Sequence, residues 1–146
     1  MRWGITGTRR GLNRYQDRAL DFFLQRHVET GDTFHHGCCL GVDSELHRKL
    51  RGLSFDVVII GHPPSNTSQV DEGVLGDCDK VRKPLPYLER NWKIVQACRK
   101  LLVVPGEFTE QRRSGTWATY RYSIKQKKPH HVFLPDGRVL MELTDE

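Results

Sequence analysis

The sequence contains no apolar run near the roughly 20 residues that a membrane-spanning helix needs, and its N-terminus lacks the apolar segment of a signal peptide. No internal repeat, low-complexity tract or linker divides it. The 146 residues are enough for one domain with a real core. We therefore expect a single domain over residues 1–146, located in the cytoplasm and not bound to a membrane.

Cysteine is scarce, and its four positions include no C-x-x-C pair. The adjacent Cys38 and Cys39 are a poor start for a zinc site, and free buried thiols are the expectation. His35, His36 and His47 could coordinate a metal ion, but they lack an obvious carboxylate at a suitable spacing. The sequence therefore predicts no metal site and no cofactor.

The charge balance favours an anionic partner. Lys and Arg total 23 against 18 Asp and Glu, for a net charge of +5. This excess is consistent with a nucleotide or with a nucleic acid and does not distinguish them.

Short apolar runs alternate with stretches of helical periodicity along the chain. Strands are predicted at 2–7, 33–37, 55–61, 100–105 and 130–135. Helices are predicted where TRRGLNRYQ (8–16) leads into apolar residues from Ala19 to Val28, near 42–52, near 87–99 and from Ser114. This alternation predicts an α/β fold, a Rossmann-like three-layer α/β/α arrangement around a mostly parallel sheet of five or six strands. A "PDG" turn at 135–137 could lead into a last, antiparallel edge strand over 138–143.

In an open parallel sheet, ligands bind beyond the carboxyl ends of the strands, where the strand order reverses. The first such loop follows "GITG" and lacks the spacing of the G-x-G-x-x-G dinucleotide fingerprint. Gly7 can still allow the backbone to approach a ligand, with Thr6, Thr8 and Arg9 as donors. The alternative is a simple turn with solvated arginines.

The second loop lies in "HHGCCLGVDSELHR", residues 35–48. Gly37 and Gly41 bracket it, and Asp43 stands at or near the next helix start. Asp43 would accept hydrogen bonds from a ribose or a base, or it would only cap that helix.

Residues 62–86 show no convincing helix or strand pattern, and so long a stretch is typical of a lid, a binding loop or a disordered segment. Arg90 and Asn91 then stand at a helix start. Arg90 is either a ligand-binding residue or an ordinary surface residue of that helix.

The fourth loop ends in "RRSGTWATYRY", residues 112–122. Ser114 is a candidate N-cap, and the amides of Gly115 and Thr116 would then point out of the helix N-terminus. Such a helix start carries partial positive charge and unpaired N–H groups, so it suits a phosphate. Arg112 and Arg113 would reinforce it.

These segments together resemble the SLOG superfamily of Rossmann-like nucleotide-binding proteins, over roughly residues 1–135. The superfamily includes the DNA-processing protein DprA and the LOG phosphoribohydrolases, which release a free base from a nucleoside monophosphate. Their signature is a helix arginine, a strand, and then P-G-G-x-G-T-x-x-E. In this sequence Arg90 matches the arginine and Pro105 matches the start of the motif. Residues 114–116 match its x-G-T part, after an insertion that includes Glu107, Glu110, Arg112 and Arg113.

The resemblance places Thr119 where the hydrolases carry their glutamate. A carboxylate stabilises or traps the cationic sugar when an N-glycosidic bond is cleaved, and a threonine cannot do so. Catalysis is therefore either lost or served by another acid, with Glu107, Glu110 and Asp43 as the candidates.

Three functions follow from the sequence and its resemblance. The first is binding of a nucleotide or a nucleotide-derived ligand. The second is nucleotide N-glycosidase activity of the LOG type, which would use Arg90 and a non-standard acid. The third is DprA-like binding of single-stranded nucleic acid, with Trp117, Tyr120 and Tyr122 as stacking residues. The resemblance also implies a homo-oligomer.

Overall fold

The core of the molecule is a twisted sheet of seven strands in a computed structural model that describes residues 1–142. The strands are Arg2–Gly7 (β1), Thr33–His36 (β2), Val58–Gly61 (β3), Lys80–Val81 (β4), Lys100–Val104 (β5), His130–Phe133 (β6) and Val139–Glu142 (β7). The α-helices are Arg14–His27 (α1), Val42–Arg51 (α2), Glu72–Gly76 (α3), Tyr87–Ala97 (α4) and Gly115–Lys125 (α5).

The strand order is β4-β3-β2-β1-β5-β6-β7. All neighbouring strands are parallel except β7, which pairs with β6 in the antiparallel sense. The predicted Rossmann-like fold with its antiparallel edge strand is thus confirmed, although Leu143 of that predicted strand lies outside the described residues. Five or six strands were too few because β4, only two residues long, leaves no periodic pattern in the sequence.

Helices cover both faces of the sheet, and β5 shows this most directly. Its Leu102 and Val104 pack in a core with residues of α1 and α2, whereas Leu101 and Val103 pack in a second core with residues of α4 and α5. Side chains of a strand point alternately to opposite faces, so an all-apolar strand requires a cover on each side. Within residues 1–142 no helix has the length and apolarity that crossing a membrane requires.

Residues 62–86 are not the structureless stretch that the sequence suggested. They contain a 3₁₀ turn at Thr67–Gln69, then α3 and β4. Asp71 caps α3 by accepting a hydrogen bond from the Val74 amide at 3.2 Å, and it also accepts one from the Ser44 hydroxyl of α2 at 2.8 Å. Each element is too short for a periodic pattern, so contacts with the rest of the fold stabilise the segment.

The strand order reverses between β1 and β5, since β1 leads to β2 on one side and β5 leads to β6 on the other. The loops that leave the carboxyl ends of β1, β2 and β5 therefore diverge and open a crevice. α4 and α5 pack next to each other beside it.

Candidate functional site

A cavity of about 400 Å³ lies in this crevice, between the loops after β1 and β2 and the N-terminal ends of α4 and α5. Most of the residues that the sequence singled out line its wall. They are Gly7, Arg9, Gly37, Asp43, Arg90, Asn91, Arg113, Gly115 and Thr116. Four separate chain segments thus converge on one space that is large enough for a small organic ligand.

Two of the predicted residues support the wall from behind. The Thr8 carbonyl accepts the Val42 amide at 3.1 Å, which joins the first loop to the start of α2. Gly41 has a φ of +93°, and a Cβ there would come within 2.5 Å of the Thr8 carbonyl oxygen. Gly41 therefore serves close backbone packing rather than ligand contact.

Asp43 organises the loop after β2. One of its carboxylate oxygens, Oδ2, accepts hydrogen bonds from the Gly37 amide at 3.1 Å and the Cys39 amide at 3.2 Å. The N-cap of α2 is Gly41, so the interpretation of Asp43 as a helix cap is wrong. The buried carboxylate instead shapes the loop and borders the cavity.

Arg90 is buried, with only 6% of its surface exposed, so its interpretation as a surface helix residue is also wrong. Its Nη1 donates to the carbonyls of Gly37 at 2.6 Å and His62 at 3.0 Å, and its Nε donates to Asn91 Oδ1 at 2.8 Å. No carboxylate of residues 1–142 lies within ion-pair distance of this guanidinium. The cavity wall therefore carries a buried cation whose hydrogen-bond acceptors are all neutral, and the Asp43 carboxylate lies nearby without pairing with it.

Tyr87 and Cys39 also border the cavity, and the sequence reasoning missed both. Arg9 lies over the Tyr87 ring at 4.6 Å from its centroid, and Arg90 lies at 5.5 Å. Burial and the nearby Asp43 raise the pKa of the Cys39 thiol, opposed by Arg90. Tyr87 could have been noticed because it precedes Arg90 by three residues in a helix, which puts both on one face.

The N-terminus of α5 faces the same cavity. The Ser114 hydroxyl accepts a hydrogen bond from the Trp117 amide at 3.2 Å and so caps the helix, as the sequence predicted. Gly115 and Thr116 of its first turn line the wall, and the exposed Arg113 adds a positive charge there. Unpaired amides, the helix dipole and Arg113 all favour an anion at this end of the cavity.

Thr119 does not reach the cavity. Its side chain is fully buried, and its hydroxyl donates to the Gly115 carbonyl one turn earlier at 2.8 Å. The residue at the position that the resemblance aligned with the hydrolase glutamate therefore uses its hydroxyl in a hydrogen bond within α5.

Glu107 and Glu110 lie outside the cavity wall. Glu107 pairs with Arg10 at 3.0 Å and accepts a hydrogen bond from Trp117 Nε1 at 3.0 Å, while Glu110 pairs with Arg121 at 3.1 Å. Asp43 is the one carboxylate among the described residues of the wall. Loop position alone could not tell these three acids apart, because it does not fix the direction of a side chain.

The aromatic side chains proposed to stack bases are largely taken up by packing. Trp117 and Tyr120 are buried in the core beneath α4 and α5, and Tyr122 packs against Trp92 with ring centroids 5.2 Å apart. These residues do not form an exposed stacking surface.

Two histidines adjoin the Arg90 side of the cavity. His35 Nδ1 lies 2.8 Å from His62 Nε2, and both rings are buried. Burial, with nearby cationic groups, lowers the pKa of His35 to about 4 and that of His62 to about 3. The pair is therefore neutral at pH 7 and adds no charge beside Arg90.

No family model matches this chain, and no curated protein matches it. Among solved structures, the X-ray structure of TM1055, a Northeast Structural Genomics Consortium target, is similar to it. The two share 13% identity and a TM-score of 0.60, over 88% of this chain and 71% of that one. This likeness shows the α/β fold.

Proposed function

We propose that the cavity binds a nucleotide, with its phosphate between the N-terminus of α5 and Arg90. The observation that carries the proposal is Arg90, a buried guanidinium that donates its hydrogen bonds to two backbone carbonyls and one amide oxygen. The Asp43 carboxylate lies near Arg90 but beyond ion-pair distance. A buried charge without a direct ion pair costs free energy, and a bound anion that paired with Arg90 would offset that cost.

The wall has one end that suits an anionic group and another that suits hydroxyl groups. Gly115, Thr116 and Arg113 offer amides and a cation, which suit a phosphate. Asp43 offers carboxylate oxygen, which suits the hydroxyl groups of a ribose. A nucleotide combines both groups in one molecule, whereas inorganic phosphate would leave Asp43 without a partner from the ligand.

Thermal unfolding with a panel of nucleoside monophosphates tests the proposal. A ligand at 100 times its Kd stabilises the folded state by about 2.7 kcal/mol, which raises the Tm by several degrees. The matching nucleosides, which lack the phosphate, should produce a much smaller shift.

Arg90→Gln should abolish most of that shift, while Glu107→Gln, outside the cavity, should retain it. Equal shifts from nucleotide and nucleoside, or an unchanged shift in Arg90→Gln, would contradict the proposal.

A second candidate function is N-glycosidase activity with Asp43 as the acid. The observation that favours it is the position of Asp43, whose carboxylate is the one that borders the cavity within residues 1–142. A carboxylate near the sugar could stabilise the cationic transition state. Chromatography of nucleotide incubations should then reveal free base with the wild type and none with Asp43→Asn. Binding without any base release would leave the cavity as a receptor site.

We also propose self-association, which the resemblance implied. An apolar groove lined by Leu88, Trp92 and Tyr122 lies on the outer side of α4 and α5, and 59% of the Leu88 surface is exposed. Light scattering of the purified protein should give a mass above the 16.9 kDa of one chain, and a mass of one chain would exclude it.

A further inference from the structure

A buried cluster of nucleophilic and titratable groups lies behind the loop after β2, and nucleotide binding does not use it. It contains His36, His47, Cys78 and Cys38, with Asp77 at its edge. The ligand atoms of the two histidines and of Cys78 all lie within 4.8 Å of one another. Topology brings them together from β2, α2 and the segment after α3.

The two sulfur atoms of the cluster are neighbours. A Cβ at Gly61 would lie 2.6 Å from Cys38 Sγ and 2.9 Å from Cys78 Sγ. A side chain at position 61 would therefore displace both sulfurs. The glycine at the end of β3 leaves the space in which the two thiols meet.

The hydrogen bonds of His36 argue against a metal ion in this cluster. The Cys38 amide, which can only donate, points to His36 Nδ1 at 2.9 Å. The neutral ring then carries its proton on Nε2, which donates to His47 Nδ1 at 2.9 Å. If His36 bound a metal ion through Nε2, that nitrogen would have to present a lone pair, and the ring proton would have to lie on Nδ1.

His47 continues the chain of hydrogen bonds to Asp77, whose Oδ2 lies 2.8 Å from His47 Nε2. Asp77 thus favours the charged form of His47. When His47 Nδ1 takes the Cys78 proton, the His36 Nε2–H and the His47 Nδ1–H both face the thiolate, which activates it as a nucleophile. The hydrogen bond with Cys38, followed by those with His36 and His47, lowers the pKa of the Cys78 thiol. The same contact and burial raise the pKa of Cys38.

We propose that Cys38 and Cys78 are a redox-active pair that a peroxide oxidises to an intramolecular disulfide. The Cys78 thiolate attacks one oxygen of hydrogen peroxide and the O–O bond breaks. Cys78 becomes a sulfenic acid, and the other oxygen departs as hydroxide. The Cys38 sulfur then attacks the sulfenic sulfur. The S–O bond breaks, the S–S bond forms, and the Cys38 proton leaves with the hydroxyl group as water.

The disulfide would connect the nucleotide-facing loop to the segment before β4. Cys38 lies between Gly37, which borders the cavity, and Cys39, whose amide holds Asp43. It also has a φ of +62°, an uncommon value for a residue with a side chain. A covalent tie at this position would restrict the loop that forms one wall of the cavity.

Peptide mapping by mass spectrometry after hydrogen peroxide treatment tests the proposal on the intact wild-type protein. Remaining thiols are alkylated under denaturing conditions before digestion. The expected product is a Cys38–Cys78 linked peptide, lighter than its two parts by two hydrogen atoms. Cys98→Ser and Cys39→Ser should still form it, whereas Cys38→Ser and Cys78→Ser should not.

His47→Gln should slow the oxidation of Cys78 about tenfold at pH 7, because the thiolate loses its imidazole partner. An unchanged rate in this variant would contradict the positioning role of His47.

Three results of the wild-type experiment would overturn the proposal. One is oxidation of Cys78 to sulfinic acid with no linked peptide. The second is a disulfide that joins other cysteines instead. The third is one zinc ion per purified chain, measured by elemental analysis, which would show that the thiols are metal ligands.

Discussion

At the residue scale, Arg90 decides what the cavity can hold. Its position is fixed by three neutral acceptors, so the guanidinium cannot turn away to find a carboxylate. In the proposed function, a ligand with a negative charge supplies the direct ion pair that this guanidinium lacks. The planar guanidinium also matches the geometry of a phosphate better than a lysine ammonium would.

The identity of residue 119 gives a test of stability rather than activity. Thr119→Glu should not give the cavity a catalytic acid, because residue 119 is fully buried and does not line the cavity. The larger, charged side chain should lower the free energy of unfolding by about 3 kcal/mol. Urea denaturation measures the loss.

Thr109→Glu, at an exposed loop position, is the matched control and should change the free energy of unfolding by less than about 0.5 kcal/mol. A stable Thr119→Glu protein that releases base from a nucleotide would show that position 119 reaches the ligand.

Buried histidines predict how stability depends on pH. Burial lowers the pKa of His35 and His131 to about 4 and that of His62 to about 3. In the unfolded chain a histidine has a pKa of about 6.5, so below that pH the unfolded state binds protons that the folded state does not. This stability is present above pH 6.5 and is lost as the pH falls toward 4.

Urea unfolding at pH 7, 6 and 5 should show the free energy of unfolding falling by at least about 1.4 kcal/mol between pH 6 and pH 5. His131→Gln should reduce the change in the free energy of unfolding with pH, because it removes one of the three histidines that take up a proton on unfolding. Equal stability at pH 7 and pH 5 would mean that these rings are not held neutral in the fold.

At the element scale, the start of α5 has two separable roles, since one side chain caps the helix and the amides face the cavity. Ser114→Ala should cost about 1 kcal/mol of stability because the Trp117 amide loses its acceptor. Ser114→Asp should keep the cap but weaken nucleotide binding, most strongly at low salt, because it places a negative charge beside the phosphate. Denaturation and titration calorimetry measure the two effects.

Asn13 offers a matched control because it caps α1, away from the cavity wall. Asn13→Ala should cost a similar amount of stability and leave nucleotide affinity unchanged. If Ser114→Asp binds the nucleotide as tightly as the wild type, the phosphate does not lie at this helix start.

The sequence predicted the elements that have strong patterns. The strand at 2–7 and the capped helix from Ser114 are found where expected, because a short apolar run that ends in glycine and a capping residue act locally. The short elements within 62–86 could not be predicted, since Asp71 must reach Ser44 of α2 to hold them in place. Such a contact depends on the finished fold.

At the scale of the whole molecule, the strand order explains both sites. The reversal between β1 and β5 gathers glycine loops that are far apart in the sequence, and the fold class predicted that gathering. It did not predict which side chains turn inward. The fold class placed Arg90, Glu107 and Glu110 at the carboxyl edge of the sheet. Of these three residues, only Arg90 borders the cavity.

The cluster of His36, His47 and Cys78 shows the same limit. From the sequence, both histidines were candidate metal ligands, but no carboxylate stood at a suitable spacing from them. Asp77 and Cys78 come from a segment after α3 whose placement no local pattern fixes. Only the folded chain brings these groups together.

The most direct test of nucleotide binding is a titration of ¹⁵N-labelled protein with a nucleoside monophosphate, followed by amide NMR signals. We predict saturable shifts of the Gly115 and Thr116 amides, together with the Arg90 side-chain Nε–H signal. Signals from the outer groove at Trp92 should stay in place. Saturation that leaves the Gly115 and Thr116 amides unmoved would contradict the phosphate position and the function proposed for the cavity.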